Sequence, residues 1–225
     1  MPDLKIIIGT KNYSSWSLRG WLAVRHTGLP FEEIKLALDT PDFYKQIEAL
    51  SPTRCVPALH HGEARVWDSL ALIDYCARIA PEKFWWPEDN AAFANARSIA
   101  AEMHSGFLAL RGAAPMNMRG RWTDMALSEG VQKNVDRIDA IWQEARARFG
   151  MDGDFLFGEF GAADMMYAPV VSRFQTYDIK VSDTSKAYMD AVHAHPYMAE
   201  WIEETKTETH IVPVDEIPAD AKTLG

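Results

Sequence analysis

Residues 51–76, SPTRCVPALHHGEARVWDSLALIDYC, carry the densest structural signal in the chain. Two short segments, Ala58–His60 and Ala64–Trp67, flank His61-Gly62 and read as strands joined by a tight turn. From Asp68 onward, Leu72, Ile73, Cys76 and Ile79 recur at i, i+1, i+4 and i+7, the spacing of one helix face. The unit is therefore strand, strand, helix. Val56-Pro57, just before the first strand, has two readings. One is a cis peptide at a tight turn, exposing the Val56 N–H and C=O to an extended ligand. The other is an ordinary proline at a strand start. Asp68-Ser69 at the helix start also has two. It is a plain N-cap, or a clamp in which Ser69 and helix N–H groups take a carboxylate while Asp68 takes an ammonium.

Upstream, LKIIIG (4–9) reads as a strand buried on both faces. Leu18, Trp21, Leu22 and Arg25 then fall at helical spacing, with Gly28 as a C-terminal stop. FEEIKLAL (31–38) alternates as a second strand. Thr40-Pro41 caps a helix running from Asp42 toward Leu50. The order through Ile79 is β-α-β-α-β-β-α. Downstream the strand signal disappears. PEKFWWPEDN (81–90) is a linker. Residues 91–111 and 123–149 read as helices, the second with Val131, Val135, Ile138 and Trp142 on one face. GAAPMNMRGRW interrupts the two, and GMDGDFLFGEFG is a glycine-rich loop. AADMMYAPVVSRFQTY and SKAYMDAVHAHPYMAEWIEET supply further helices. The expected organisation is an α/β domain over 1–82, an all-helical domain over 90–208 and an extended tail over 209–225.

A net charge of −9 disfavours nucleic acid and anionic membrane surfaces as partners. The apolar runs fall short of the roughly 20 residues that span a bilayer. MPDLKIII lacks the parts of a signal peptide, and the two cysteines, Cys55 and Cys76, suit a reducing cytoplasm as buried apolar residues. His193-Ala194-His195 has metal-like spacing without a third ligand, so no metal is expected.

NYSSWSLRG (12–20) lies between the first strand and the first helix. One serine suffices to cap that helix, worth about 1 kcal/mol. The others are free to donate to a ligand beside exposed N–H groups and the positive helix end.

Hydroxyls after strand one, Val-Pro before strand three and Asp-Ser opening helix three, in that order, resemble the glutathione transferase family. SPTRCVPALHHGEARVWDSLALIDYC is the most specific part, and GEFGAADMMYAPVV is similar to the family's buried capping motif, with Gly161 where Ser or Thr usually stands. YSSWSLRGWLAV resembles the serine-type zeta and theta members. The resemblance implies a thioredoxin-like N-terminal domain, a helical C-terminal domain and a homodimer. It implies glutathione as cosubstrate, lying extended in the N-terminal domain. Ser14 would be the catalytic hydroxyl, with Ser15 second and Tyr13 as a further donor. Val56 would pair with the cysteinyl backbone, Asp68 and Ser69 would hold the γ-glutamyl end, and Arg54 would lie near the glycyl end. Arg19 is read as a structural salt bridge.

A free thiol with a pKa of about 8.5 is only slightly ionised at neutral pH. Lowering that pKa by about two units takes about 2.7 kcal/mol, within reach of a charge-assisted hydrogen bond plus a helix N-terminus. The implied function is attack of the resulting thiolate on a small electrophile by conjugation, peroxide reduction or isomerisation, as in detoxification. A noncatalytic ligand-binding module and a maleylacetoacetate isomerase are the alternatives, and Thr176 departs from the isomerase pattern, which has arginine there. Met103, His104, Phe107, Arg111 and Arg173 are candidate walls for the second substrate, with Met116 and Met118 as further apolar candidates.

Overall fold

The computed structural model describes residues 3–151, 153–218 and 220–225. Met1 and Pro2 of the N-terminal segment, Asp152 of the glycine-rich loop and Ala219 of the tail lie outside the described residues. β1 (Leu4–Gly9), β2 (Phe31–Leu36), β3 (Ala58–His61) and β4 (Ala64–Trp67) form one sheet in the order β2-β1-β3-β4. β1 and β2 are parallel, while β3 is antiparallel to both β1 and β4. The isoleucine run in β1 is explained by two covered faces. Ile6 and Ile8 join the large core that continues under α1 (Ser15–Thr27) and α3 (Ser69–Ile79). Ile7, pointing the other way, packs with Leu36, Phe43, Ile47 and Ala58 beneath α2 (Pro41–Leu50). The element order is thus the expected βαβαββα, thioredoxin-like in its mixed sheet.

Local chemistry sets the helix ends. Gly28 takes a left-handed φ of 72° and its N–H closes α1 onto Arg25 O. Thr40 caps α2 by accepting from Phe43 N at 3.0 Å. Gly20 has a packing role as well. A Cβ there would sit 2.9 Å from Pro57 Cβ, so glycine lets α1 approach the Val56-Pro57 turn.

The second unit comprises α4 (Asn90–Ser105), α5 (Leu108–Ala113), α6 (Glu129–Phe149), α7 (Ala162–Thr176), α8 (Asp183–Ala194) and α9 (Pro196–Thr205). α7 is buried all round and sits at its centre. Its N-terminus is closed by Asp164, whose two oxygens accept from Gly161 N at 2.9 Å and Leu156 N at 3.2 Å. Glycine at the cap therefore leaves the reciprocal half of the motif intact. α7 packs on α1 across the junction of the two units, with Arg19 Nε donating to Met166 O at 2.9 Å.

Three details differ from the sequence expectation. The helix expected over 91–111 breaks at Gly106-Phe107, where Phe107 adopts φ 57° and turns its ring into the core. The helix expected from 123 begins at Glu129, behind a two-residue strand, β5 (Ala126–Leu127). β5 pairs in parallel with β6 (Thr223–Leu224) at the end of the tail, so the strand signal does return. Between α9 and β6 the tail packs on the body, where Glu216 accepts from the Tyr13 hydroxyl and from Asn117 Nδ2. Among the described residues no helix is long and apolar enough to cross a membrane.

Candidate functional site

The three serines of NYSSWSLRG separate by role. Ser17 Oγ accepts from Gly9 N at 2.9 Å, stapling the start of α1 to the end of β1. Ser14 is the N-cap, accepting from Ser17 N at 3.4 Å while its own hydroxyl donates to Ser17 Oγ at 2.7 Å. Ser15 occupies the first helical position, and its Oγ accepts from Arg173 Nη2 at 3.4 Å. Tyr13 turns its hydroxyl to Glu216 and Arg119; burial and then the Glu216 carboxylate push its pKa up.

A cleft opens in front of these residues in two lobes. The first, about 520 Å³, is lined by Thr53, Pro57, Trp67, Asp68, Ser69 and His104, with Trp16, Cys55 and Val56. The second, about 420 Å³, includes Tyr13, Ser14, Ser15, Arg54, Arg111 and Arg173, again with Trp16, Cys55 and Val56. Trp16, Cys55 and Val56 thus stand on the divide between the lobes. The Val56-Pro57 peptide is cis.

In the first lobe Asp68 caps α3, its Oδ1 accepting from Leu70 N at 2.9 Å and Ala71 N at 3.4 Å. It does so at φ 74°, ψ 134°, a conformation a non-glycine residue adopts at a cost of about 1–3 kcal/mol. Its other oxygen meets His104 Nε2 at 2.6 Å, tying α3 to α4. Next to it, Ser69 is fully buried and its Oγ has no hydrogen-bond partner. Arg54 also has positive φ, at 55°, and its exposed guanidinium pairs with Glu48.

In the second lobe Arg173 is buried; its Nε donates to Ala114 O at 2.8 Å and its Nη1 to Pro169 O at 3.4 Å. Burial, and then the charge of Arg111, bring its pKa down to about 10. Burial lowers Arg111 as well. Trp16 is faced by two guanidinium groups, with Arg19 4.4 Å and Arg111 4.7 Å from its ring centre.

The structure therefore brings Ser14, Ser15, Arg54, Val56, Asp68, Ser69, His104, Arg111 and Arg173 to one cleft. Met103 and Phe107 do not line it; both are core residues, Met103 on the inner face of α4 and Phe107 in the break before α5, a placement that corrects their assignment to the substrate wall. Met116 lines the second lobe. Met118 lies away from both lobes. Arg19 forms no salt bridge among the described residues: its one hydrogen bond goes to a carbonyl and both terminal nitrogens are unpaired. Cys76 is buried as expected, but Cys55 is an exposed free thiol on the cleft. Sequence reasoning also missed Trp16 and Asp215. Trp16 had a usable signal, since it lies between Ser15 and Ser17 at a helix start. Asp215, on the tail, had none. Among the described residues no group of His, Cys, Asp and Glu is placed to hold a metal.

Comparison with known proteins places the fold. Residues 13–79 match the model of the glutathione S-transferase N-terminal domain, and residues 124–204 that of the glutathione S-transferase C-terminal domain. The chain belongs to the glutathione S-transferase family. It is 26% identical over 219 residues to Protein IN2-1 homolog B of Oryza sativa subsp. indica, covering 93% of this chain and 82% of that one. It is 25% identical over 170 residues to maleylacetoacetate isomerase of Rattus norvegicus, covering 75% and 76%. A glutathione transferase homolog from Burkholderia GL BGR1, solved with bound glutathione, superposes with a TM-score of 0.70 at 20% identity, covering 92% of this chain and 100% of that one.

Proposed function

We propose that the chain is a serine-type glutathione transferase that holds glutathione extended across the first lobe and ionises its thiol at the start of α1. The observation that carries this reading is the Ser69 hydroxyl, buried and unpartnered at the first turn of α3 beside Asp68. A buried hydroxyl without a partner is costly unless a ligand completes it. The Ser69 hydroxyl and the positive N-terminal end of α3 suit the γ-glutamyl carboxylate, and the Asp68 carboxylate the ammonium. Val56 on the divide suits the cysteinyl backbone, and Arg54 the glycyl end.

The sulfur then lies at the N-terminus of α1, where a hydroxyl donor and the helix end both favour the charged thiol. Ser14 is the donor the family resemblance selects. One observation favours Ser15: Ser14 already donates to Ser17 Oγ, whereas Ser15 accepts from Arg173 and keeps its hydrogen uncommitted. The thiolate attacks a small electrophile in the second lobe, by conjugation, peroxide reduction or isomerisation. A homodimer in the cytoplasm completes the proposal; a reducing compartment suits the two free thiols.

The test is retention on immobilised glutathione, followed by the ultraviolet absorbance of bound thiolate across pH in wild type, Ser14→Ala, Ser15→Ala and Tyr13→Phe. One serine variant should raise the pKa of the bound thiol by about one to two units. If the wild type binds glutathione without ionising it, the chain is a noncatalytic binding module; if neither serine matters, the sulfur lies elsewhere.

A further inference from the structure

Around the second lobe, whose Arg54 is paired with Glu48, three further arginines have no carboxylate partner. Arg19, Arg111 and Arg173 surround the start of α1, and none of the ion pairs among the described residues includes any of them. Their hydrogen bonds go to neutral oxygens: Met166 O for Arg19, His104 O and Gly106 O for Arg111, and Ala114 O, Pro169 O and Ser15 Oγ for Arg173. Arg19 is 0% exposed, with both terminal nitrogens unpaired. Buried guanidinium groups are normally matched by carboxylates, because desolvating an unpaired charge costs more than almost any other burial. Burial first, and then the charges of neighbouring arginines (Arg173 and Arg111 on Arg19, Arg111 on Arg173), hold both below the ordinary arginine pKa.

The nearby acids are engaged or too far away. Asp68 is held by His104 and two helix N–H groups. Glu216 is held by Tyr13 and Asn117. Asp39 accepts from the Tyr44 hydroxyl. Asp215 lines the same lobe and feels the charge of Arg173, but it is not within ion-pair distance of it. A glutathione thiolate would neutralise one of the three cations. Trp16, Phe43, Tyr44 and Met116 give the same lobe an aromatic and apolar wall beside Ser14, Ser15 and Arg54.

We propose that the second substrate is an electrophile with an apolar or aromatic body and a carboxylate, the carboxylate taken by Arg111 and Arg173, with Arg19 adding its charge from behind Trp16. This rests on the glutathione reading above. It separates this cleft from one that selects neutral hydrophobic electrophiles.

The test uses a matched pair, 4-chloro-3,5-dinitrobenzoate and its carboxamide. In both, the glutathione thiolate forms the C–S bond at the chlorinated carbon and chloride departs with the electron pair. Each kcat/KM is divided by the uncatalysed rate with glutathione. The wild type should prefer the acid by about tenfold or more, the scale of one charge-assisted hydrogen bond. Arg111→Gln should bring the ratio toward one. Calorimetric binding of each compound without glutathione is the second measurement, and it should show the same preference even if turnover is undetectable. The proposal falls if the wild type binds and turns over both compounds equally. It also falls if Arg111→Gln weakens glutathione binding or raises the thiol pKa and leaves the acid preference intact, since the cations would then serve glutathione alone. Glutathione retention and thiolate absorbance in the wild type test the underlying reading separately.

Discussion

Replacing Ser69 by alanine should separate ligand binding from stability. The hydroxyl is fully buried, has no hydrogen-bond partner, and occupies the first position of α3, where Asp68 already provides the cap. Removing it therefore costs the free protein no hydrogen bond. Alanine also gains roughly 0.5 kcal/mol of helix propensity over serine, and removal of an unsatisfied buried oxygen is neutral or favourable. Stability should be unchanged or raised by up to about 1 kcal/mol, moving Tm upward by about 2–4 °C for a chain of this size. Glutathione binding should move the opposite way. A hydrogen bond from the hydroxyl to the γ-glutamyl carboxylate is charge-assisted and worth about 1.5–3 kcal/mol, so Kd should rise by about 10- to 150-fold. Urea unfolding and calorimetric titration with glutathione read the two quantities on the same preparation. A Ser69→Ala variant that loses more than about 1 kcal/mol of stability and binds glutathione as wild type would show that the hydroxyl is structural.

Two further outcomes are expected. The exposed Cys55 thiol should be alkylated by N-ethylmaleimide, while buried Cys76, whose pKa burial drives up, stays unmodified. S-methylglutathione at ten times its Kd should slow the Cys55 reaction about tenfold, measured by intact mass, and an unchanged rate would remove glutathione from the divide between the lobes. His195 caps α9 through Nδ1, which accepts from Tyr197 N at 3.3 Å, and its ring stacks on Phe160. Burial, and then the charge of His26, push its pKa down to about 4. Between about pH 4 and 6.5 the unfolded chain binds a proton that the native ring refuses, so stability rises with pH across that window, by less than the full shift implies because the half-buried ring is screened by solvent. His195→Asn keeps a capping side chain without the titration; urea midpoints at pH 4.5 and 7 should differ less in the variant, and equal differences would show that the ring is not held neutral.

The readable parts of this fold are those set by neighbours in sequence. Gly28, Thr40-Pro41 and the Ile6-Ile7-Ile8 run declare helix ends and a doubly covered strand within a few residues. The unread parts are set by distant partners. Phe107 interrupts a helical pattern because its ring finds a place in the core. β5 has no local strand signal and exists because Leu224 returns to pair with Leu127. The cleft divides in the same way. Ser14, Val56, Asp68 and Ser69 lie at element ends of the first unit, where spacing makes them visible. Arg19 and Asp215 gain their roles from the approach of α7 and the tail, which no local pattern announces, and Trp16, visible at the helix start, gains its second cation from α5.

An orphaned polar group is not by itself a sign of function, and this chain shows both kinds. Trp142 Nε1 and Ser185 Oγ are also buried without partners, but they lie inside the helical unit, in contact with neither lobe of the cleft. Their cost, about 1–3 kcal/mol each at most, is carried by the packing of Trp142 against Tyr167, Phe174 and Tyr188. Ser69 and Arg19 differ in their surroundings. Ser69 lies against the first lobe next to the strained Asp68 backbone, and Arg19 stands behind Trp16 with two further cations beside it. Here several local rules are broken at one place: a left-handed φ at aspartate, a hydroxyl without a partner and guanidinium groups without a counterion. Within the protein they are offset only in part, by the Asp68 cap on α3, its contact with His104 and the stacking of Arg19 and Arg111 on Trp16. In the function proposed above, a tripeptide carrying carboxylates, an ammonium and a thiolate, followed by an anionic electrophile, would offset them one by one.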